Sequence, residues 1–348
     1  MLNKSANNLL LFLFFLFAIS CNTSPEYSSQ GAIVAGRIDP SLCKNKMIYF
    51  YQYTDSISLF FCEKKSTDSC VIDAEGRFRI EVENGLKSGF FDLGTKDFIF
   101  AKNFFLEPGD QIKLIFDGKE MPVRLHTYKD IGKYNKFLQI FYDTFYREPK
   151  TKRNYFVISN YMLAPDYSVY INKRRNEQIA FYKKYFKGAN PDTSFKYYFE
   201  NETDYNWAND KVYFLWKKRT RNEFVPLDTS YFDFLKVINN DNPKALICPG
   251  YTRFINLFLT ELYQEEIFNL PPGYPQSLEK CLMAKKYYIG TGRKIAYYSI
   301  LNDELSGINA SSAKVNREHD LFVDSLTRIA FEATADSNFF KFVNLKRK

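Results

Sequence analysis

Tryptophan and histidine are nearly missing: the 348 residues include 2 Trp and 2 His. The histidines, His126 and His319, lie far apart, with no cysteine or carboxylate beside them at metal-ligand spacing. A zinc shell needs three or four donors, so no metal site is expected. Arg317-Glu318-His319-Asp320 also lacks the second histidine of a zinc-protease helix, and His319 reads as an exposed residue at a helix start. His126, where strands give way to helices, reads as structural. The chain has no Cys-x-x-Cys, no Gly-x-Ser-x-Gly and no Walker loop. A dithiol pair, a nucleophile elbow and a phosphate cradle are therefore not expected. Gly290-Thr-Gly292-Arg-Lys-Ile295 opens like a dinucleotide fingerprint but places Ile295 at the third glycine, without a preceding parallel strand; it reads as a loop between helices. Glu261, Glu265 and Glu266 share a helical face, and carboxylates so spaced are expected to be solvated. No catalytic and no cofactor-binding residue is expected.

Long apolar runs are also lacking. The longest, Leu9 to Ile19, is shorter than the roughly 20 residues that span a bilayer. It follows Met1-Leu-Asn-Lys4 and precedes Ser20 and Cys21, the order of a secretory signal. Ala18-Ile19-Ser20-Cys21 resembles the lipobox of bacterial lipoproteins, with Ala18 where the family usually has Leu. The resemblance implies that residues 1–20 are a signal peptide removed ahead of Cys21, which then carries lipid. Attachment to a membrane of the cell envelope follows, with the outer membrane facing the periplasm expected and surface exposure the alternative. Residues 21–30, polar and serine-rich, read as a flexible tether.

The formal charge is +8, with basic runs at Lys173-Arg174-Arg175, at Lys217 to Arg221 and at Lys346-Arg347-Lys348. Export argues against nucleic acid as a partner. Short basic runs on helices read as solvated faces, with weak attraction to anionic headgroups as the use of the charge. Aromatics reach 18%, from 35 Phe and 26 Tyr. Glycan platforms favour Trp, so core filling is the better account. Beyond Cys21 there are Cys43, Cys62, Cys70, Cys248 and Cys281, an odd number where disulfides are permitted. Cys62 and Cys70 flank a polar segment between apolar runs and are a candidate disulfide across a hairpin neck, as open as its alternative. Cys248, ahead of Pro249-Gly250 and without a second cysteine, reads as a buried apolar residue.

From residue 31 to 127 short apolar runs alternate with turn residues at intervals near ten, the pattern of an antiparallel β-sandwich or open barrel. Phe78, Ile80 and Val82 fall on one face, as do Ile112, Leu114 and Phe116. Glu107-Pro-Gly-Asp110 and Asp117-Gly118 read as turns. From 128 to 348 the period lengthens to that of helices. Stripes or runs place helices over Tyr134 to Phe145, closing at Glu148-Pro149, and over 176–187, 204–218, 229–238 and 251–268. A last stripe runs through Phe322, Leu326, Ile329, Ala330 and Ala333. The fold class is α+β, a β domain followed by an α-helical one.

Gly31-Ala-Ile-Val-Ala-Gly36, Val71-Ile-Asp-Ala-Glu-Gly76-Arg-Phe78 and Phe105-Leu-Glu-Pro-Gly-Asp110-Gln-Ile112 resemble the N-terminal β domain of Bacteroidetes-type thioredoxin-like (thiol-disulfide interchange) lipoproteins. Tyr134-Asn135-Lys-Phe-Leu138, Asp241-Asn-Pro-Lys-Ala-Leu246 and Tyr251-Thr-Arg-Phe254 resemble the helical linker of the same group. In that family a thioredoxin domain with Cys-x-x-Cys follows, and here it is expected to be absent, so no redox residue carries over. The expected function is a non-enzymatic, membrane-anchored binding or accessory module. Two alternatives stay open: an accessory of periplasmic thiol–disulfide exchange working with a separate thioredoxin-like partner, and a glycan-binding lipoprotein. The short Asp-Ser-apolar pattern of bacterial O-glycosylation occurs at Asp55-Ser56-Ile57 and Asp324-Ser325-Leu326, the second disfavoured by its place on a helix.

Overall fold

Alternation in the first hundred residues becomes two facing sheets. The computed structural model describes residues 31–39, 47–52, 68–82, 88–95, 99–116, 126–127, 132–147, 161–223, 225, 229–266, 275–310 and 317–347. One sheet has the order β4 (Arg77–Val82), β1 (Ala32–Ile38), β7 (Gln111–Phe116), β8 (His126–Thr127). The other has the order β3 (Asp68–Val71), β2 (Met47–Gln52), β5 (Gly89–Gly94), β6 (Ile99–Leu106). Val34, Phe78, Ile80, Ile112 and Leu114 from the first meet Ile48, Phe50, Phe91 and Leu93 from the second in one buried cluster, so the pair forms a sandwich and not a closed barrel. Val82 packs at its edge.

The expectation of purely antiparallel strands is corrected at one pairing: β1 runs antiparallel to β4 but parallel to β7, in the register Val34↔Ile112 and Gly36↔Leu114. Side-chain alternation dictates which face is buried and is silent about the neighbour's direction. The chain between β1 and β7 builds the whole second sheet, ample length for a parallel return. Gly36 lies where β1 is held between both neighbours, and a Cβ there would run into the Leu114 carbonyl and the Phe78 ring.

The second sheet is buried on both faces where β5 meets β6. Phe91 and Phe104 point into the sandwich, whereas Phe90 and Phe105 belong to the core of the helical half. Doubled phenylalanines at 90–91 and 104–105 are the sequence form of such a strand pair.

Helix α1 (Gly132–Tyr142) buries Tyr134, Phe137, Leu138 and Phe141, the expected stripe, and continues as a π-helical turn through Asp143–Arg147. Its expected stop at Glu148-Pro149 lies outside the described residues. Next come α2 (Ala164–Tyr185) and α3 (Thr193–Thr220), both longer toward the N-terminus than their periodicity announces. Pro165 sits in the first turn of α2, where a missing N–H costs nothing, and Asp192 caps α3 by accepting from Ser194 N and Phe195 N at 2.8 and 3.2 Å. The expected helix at 229–238 is a 3-10 helix, Thr229–Lys236, and a second follows at Pro243–Ile247. Then come α4 (Pro249–Glu266), α5 (Gln276–Tyr287), α6 (Gly290–Ala310), α7 (Arg317–Thr334) and α8 (Asn338–Lys346).

Gly290 to Ile295 is thus the first turn of α6, not the loop its fingerprint-like spacing implied. Ile295 to Tyr298, Ile300 and Leu301 are all buried. Four consecutive covered residues, Ile295 to Tyr298, take up a whole turn and blur the stripe. Among the described residues no helix is long and apolar enough to cross a membrane.

Candidate functional site

Helix α2 carries Tyr170, Lys173, Arg174 and Glu177 at i, i+3, i+4 and i+7, which brings them onto one face. With Phe145 from the π-helical turn they line a cleft of about 140 Å³. Its floor is fastened by Arg174. The guanidinium lies 2.9 Å from the Asp210 carboxylate on α3, donates to the Phe145 carbonyl at 3.3 Å and stacks over the Tyr146 ring at 4.7 Å. Gln178 donates to the Tyr146 hydroxyl at 3.3 Å, and burial pushes that phenol's pKa up. The next residue, Arg175, pairs with Asp204 at 2.7 Å and stacks on Trp207 at 4.5 Å.

These contacts correct the solvated-face reading of the basic runs. Of Lys173-Arg174-Arg175 only Lys173 is turned outward; the arginines tie α2 to α3. In the second run, Lys218 pairs with Glu223 at 2.6 Å and Arg219 with Glu261 at 2.9 Å. Glu261 is 4% exposed and its pKa is raised by burial, against the opposing pull of Arg219, so the solvated-carboxylate expectation fails there. The side chains of Glu265 and Glu266 lie outside the described residues. A three-residue run shows its charge but not which helix packs beside it.

A second buried polar centre lies where α3 meets the start of α4. Glu202 accepts from Asn206 Nδ2 at 2.9 Å and from Gly250 N at 2.8 Å, satisfying a first-turn amide of α4 that has no partner within its own helix. Burial raises its pKa, with the Gly250 amide opposing most strongly. The Cys248 thiol beside it is fully buried and approaches the Tyr198 carbonyl at 3.7 Å, and burial pushes its pKa well up, with Glu202 adding to the effect. Cys281 is likewise buried and pushed up to about 12. A thiol kept from ionising in this way is not a nucleophile near neutral pH. Cys248 is the buried cysteine its context announced.

Cys70 is half-buried on β3, an edge strand, while its candidate partner Cys62 lies outside the described residues, as do Cys21 and Cys43. His126 falls on β8, and only its backbone is described. His319 is at the start of α7 as read, but half-buried, with Nε2 3.4 Å from the Glu304 carboxylate. Among the described residues no group of three or more His, Cys, Asp or Glu could hold a metal ion. Asp55-Ser56-Ile57 lies outside the described residues; Ser325 on α7 donates to the Leu321 carbonyl at 2.9 Å.

One buried group went unread in the sequence. Lys211 on α3 is 3% exposed, donates to Ser168 Oγ at 2.6 Å and is faced by the rings of Trp207, Tyr231 and Phe234 at 5.5, 5.0 and 5.8 Å. Burial lowers its pKa to about 8, with Asp233 opposing. Trp207 and Lys211 are four residues apart on one helix, and that spacing was the available signal.

The phrases over Asp241 to Leu246 and Tyr251 to Phe254 serve as fasteners. Asn242 accepts from Tyr197 Oη at 2.6 Å and donates to Asn201 and Tyr205, each at 3.1 Å. Asp241 accepts from Thr291 N at 2.7 Å, capping α6, and Gly290 (φ +47°) leaves room for that carboxylate where a Cβ would strike it. Tyr251 donates to the Asn240 carbonyl at 2.7 Å and Phe254 is fully buried. Each of these residues holds one element against another. The chain matches no family model, no curated protein and no solved structure.

Proposed function

We propose that this is a non-enzymatic lipoprotein of the cell envelope, anchored through lipid on Cys21 to the outer membrane and facing the periplasm. In this reading it works as a binding or accessory module whose helical half presents the α2 cleft to an envelope partner. The observation that carries the reading is the division of labour along α2. Arg174 and Arg175 are turned inward and paired with Asp210 and Asp204, while Lys173, Glu177 and the rings of Phe145 and Tyr170 border a small cleft. Just before it, Tyr161, Leu163 and Val169 expose apolar surface at 83, 66 and 69%.

The test has two parts. An alkyne-tagged fatty acid should label the wild-type chain in cells and not Cys21→Ser. A photo-crosslinking residue in place of Tyr170 should capture one defined envelope component, and Lys173→Glu should abolish that capture while the same probe at Leu282 yields none. Labelling that persists in Cys21→Ser, or capture indifferent to Lys173, would overturn the reading.

The resemblance to thioredoxin-like lipoproteins favours a second reading, an accessory of thiol–disulfide exchange working with a separate thioredoxin-like partner. Cys70 is the observation on its side, the least buried of the described cysteines. Thiol counts that do not change with reductant, together with no acceleration of insulin reduction by a thioredoxin-like partner, would remove it. Glycan binding finds less support, because among the described residues Tyr161 is exposed ahead of α2 and Tyr287 at the end of α5, while the partly exposed Tyr146 has its ring covered by Arg174.

A further inference from the structure

Helix α8 is built with two unlike faces. Phe339, Phe342 and Val343 are buried, the two rings packing on Tyr298 at 4.2 and 5.4 Å between centroids, so the helix is firmly seated on α6. The opposite face carries Phe340, Lys341, Asn344 and Leu345, all exposed, with Phe340 at 44% and Leu345 at 39%. Phe331 of α7, itself 38% exposed, packs against Phe340 at 5.5 Å and widens the apolar strip across two helices. From Asn338 to Lys348 the sequence contains Lys341, Lys346, Arg347 and Lys348 and no acidic residue. Of the nearby carboxylates, Asp320 and Asp324 are answered by Arg347 at 3.3 and 2.9 Å and Asp336 by Lys294 at 3.5 Å, while Glu332, beside Phe331, is exposed.

We infer that the outer face of α8, with Phe331, is a membrane-contact surface that lies on an anionic phospholipid leaflet. Charge complementarity chooses the occupant. Exposed aromatic and leucine side chains interleaved with lysines are the pattern of a helix in the plane of a bilayer interface, where rings and methyl groups enter the boundary of the acyl region and lysine stems extend to phosphate. Lys341 is the lysine of the outer face itself, while Lys346 lies at the end of the seated face, 5.8 Å from the Phe342 ring. The inference stands on α8 itself and extends the anchored reading, giving the chain a second membrane contact that would orient the helical half toward the leaflet.

The test uses the chain from Asn22 onward, which carries no lipid and keeps both buried cores, mixed with phosphatidylglycerol vesicles or phosphatidylcholine vesicles in a flotation assay. Binding is expected to the anionic vesicles alone and to weaken with added salt. Phe340→Ser with Leu345→Ser, and separately Lys341→Glu with Lys346→Glu, should each weaken it at least about tenfold. Leu282→Ser, an equally exposed site on α5, should not. Unchanged melting temperatures show that the variants fold. Equal binding to both vesicle types, variants that bind like the parent, or no binding at all would overturn the inference. Because this chain lacks Cys21, failure here leaves the lipid-labelling result standing, and the reverse also holds.

Discussion

The side-chain amide of Asn135 on α1 bonds both backbone groups of Phe105 on β6, accepting from its N–H and donating to its C=O, each at 2.7 Å. Since β6 is an edge strand, Asn135 supplies the pair of hydrogen bonds that a neighbouring strand would have made, and it does so at the seam between sheet and helices. Asn135→Ala leaves two buried backbone groups unpaired. At 1 to 3 kcal/mol for each such group, the loss of stability should be about 2–6 kcal/mol, measured by urea unfolding. A change under about 0.5 kcal/mol would mean the seam is held elsewhere.

Arg219 and Glu261 pose a charge problem with a pH signature. Removing the arginine leaves a buried carboxylate without its counter-ion, so Arg219→Met should lose about 3 kcal/mol at pH 7. Burial raises the folded pKa of Glu261 above its unfolded value, and without Arg219 it rises further. A carboxyl group so shifted is stabilising when protonated and destabilising above its unfolded pKa. The deficit of Arg219→Met should therefore shrink as pH falls toward 4, and Arg219→Met with Glu261→Gln should restore most of the stability at pH 7. Parallel curves for the variant and the parent would refute the assignment.

What sequence could convey about this molecule follows from how each side chain is buried. Phe78 and Ile80 alternate with exposed neighbours, so β4 was legible, and Tyr134 to Phe141 recur at helical spacing, so α1 was too. Helix α6 was not, because Ile295 to Tyr298 are covered through a whole turn and blur its stripe. The parallel register of β1 on β7 left no trace in alternation. At the cleft, the residues of α2 were visible as a basic triplet, but their inward turn depends on Asp204 and Asp210, about thirty residues away on α3. The fingerprint-like Gly290 to Ile295 was legible only as an absence of chemistry; its use as a helix start depends on the Asp241 cap, fifty residues before it in the chain.

Buried thiols give a reactivity prediction. With Cys281 held up to about 12, its thiolate fraction at pH 8 is on the order of one in ten thousand, and Cys248 is shifted in the same direction. In the native state neither should react with a bulky aromatic disulfide reagent over minutes, and both should react on unfolding in guanidinium. Mass mapping of the labelled peptides checks it. Rapid native labelling at Cys248 would bring that cysteine into the thiol-exchange reading.

Lys211 offers the clearest linkage experiment. Its folded pKa, lowered to about 8, is well under the value near 10.4 of an unfolded lysine. Between those limits the unfolded chain holds a proton that the folded chain has released, so this group makes stability rise with pH across that window. Below pH 8 the ammonium is charged in both states and its burial opposes folding. The rings of Trp207, Tyr231 and Phe234 and the Ser168 hydroxyl offset only part of that penalty. Lys211→Met keeps the length and removes the charge, so the variant should be at least as stable as the parent at pH 7. Raising the pH from 7 to 10 should then move the difference in favour of the parent by about 2–3 kcal/mol. Working with the difference matters because buried thiols and phenols such as Cys281 and Tyr182, both pushed up to about 12, make stability fall over the upper part of the range in parent and variant alike. If the difference stays constant from pH 7 to pH 10, Lys211 keeps an ordinary pKa and the aromatic enclosure fully compensates its burial.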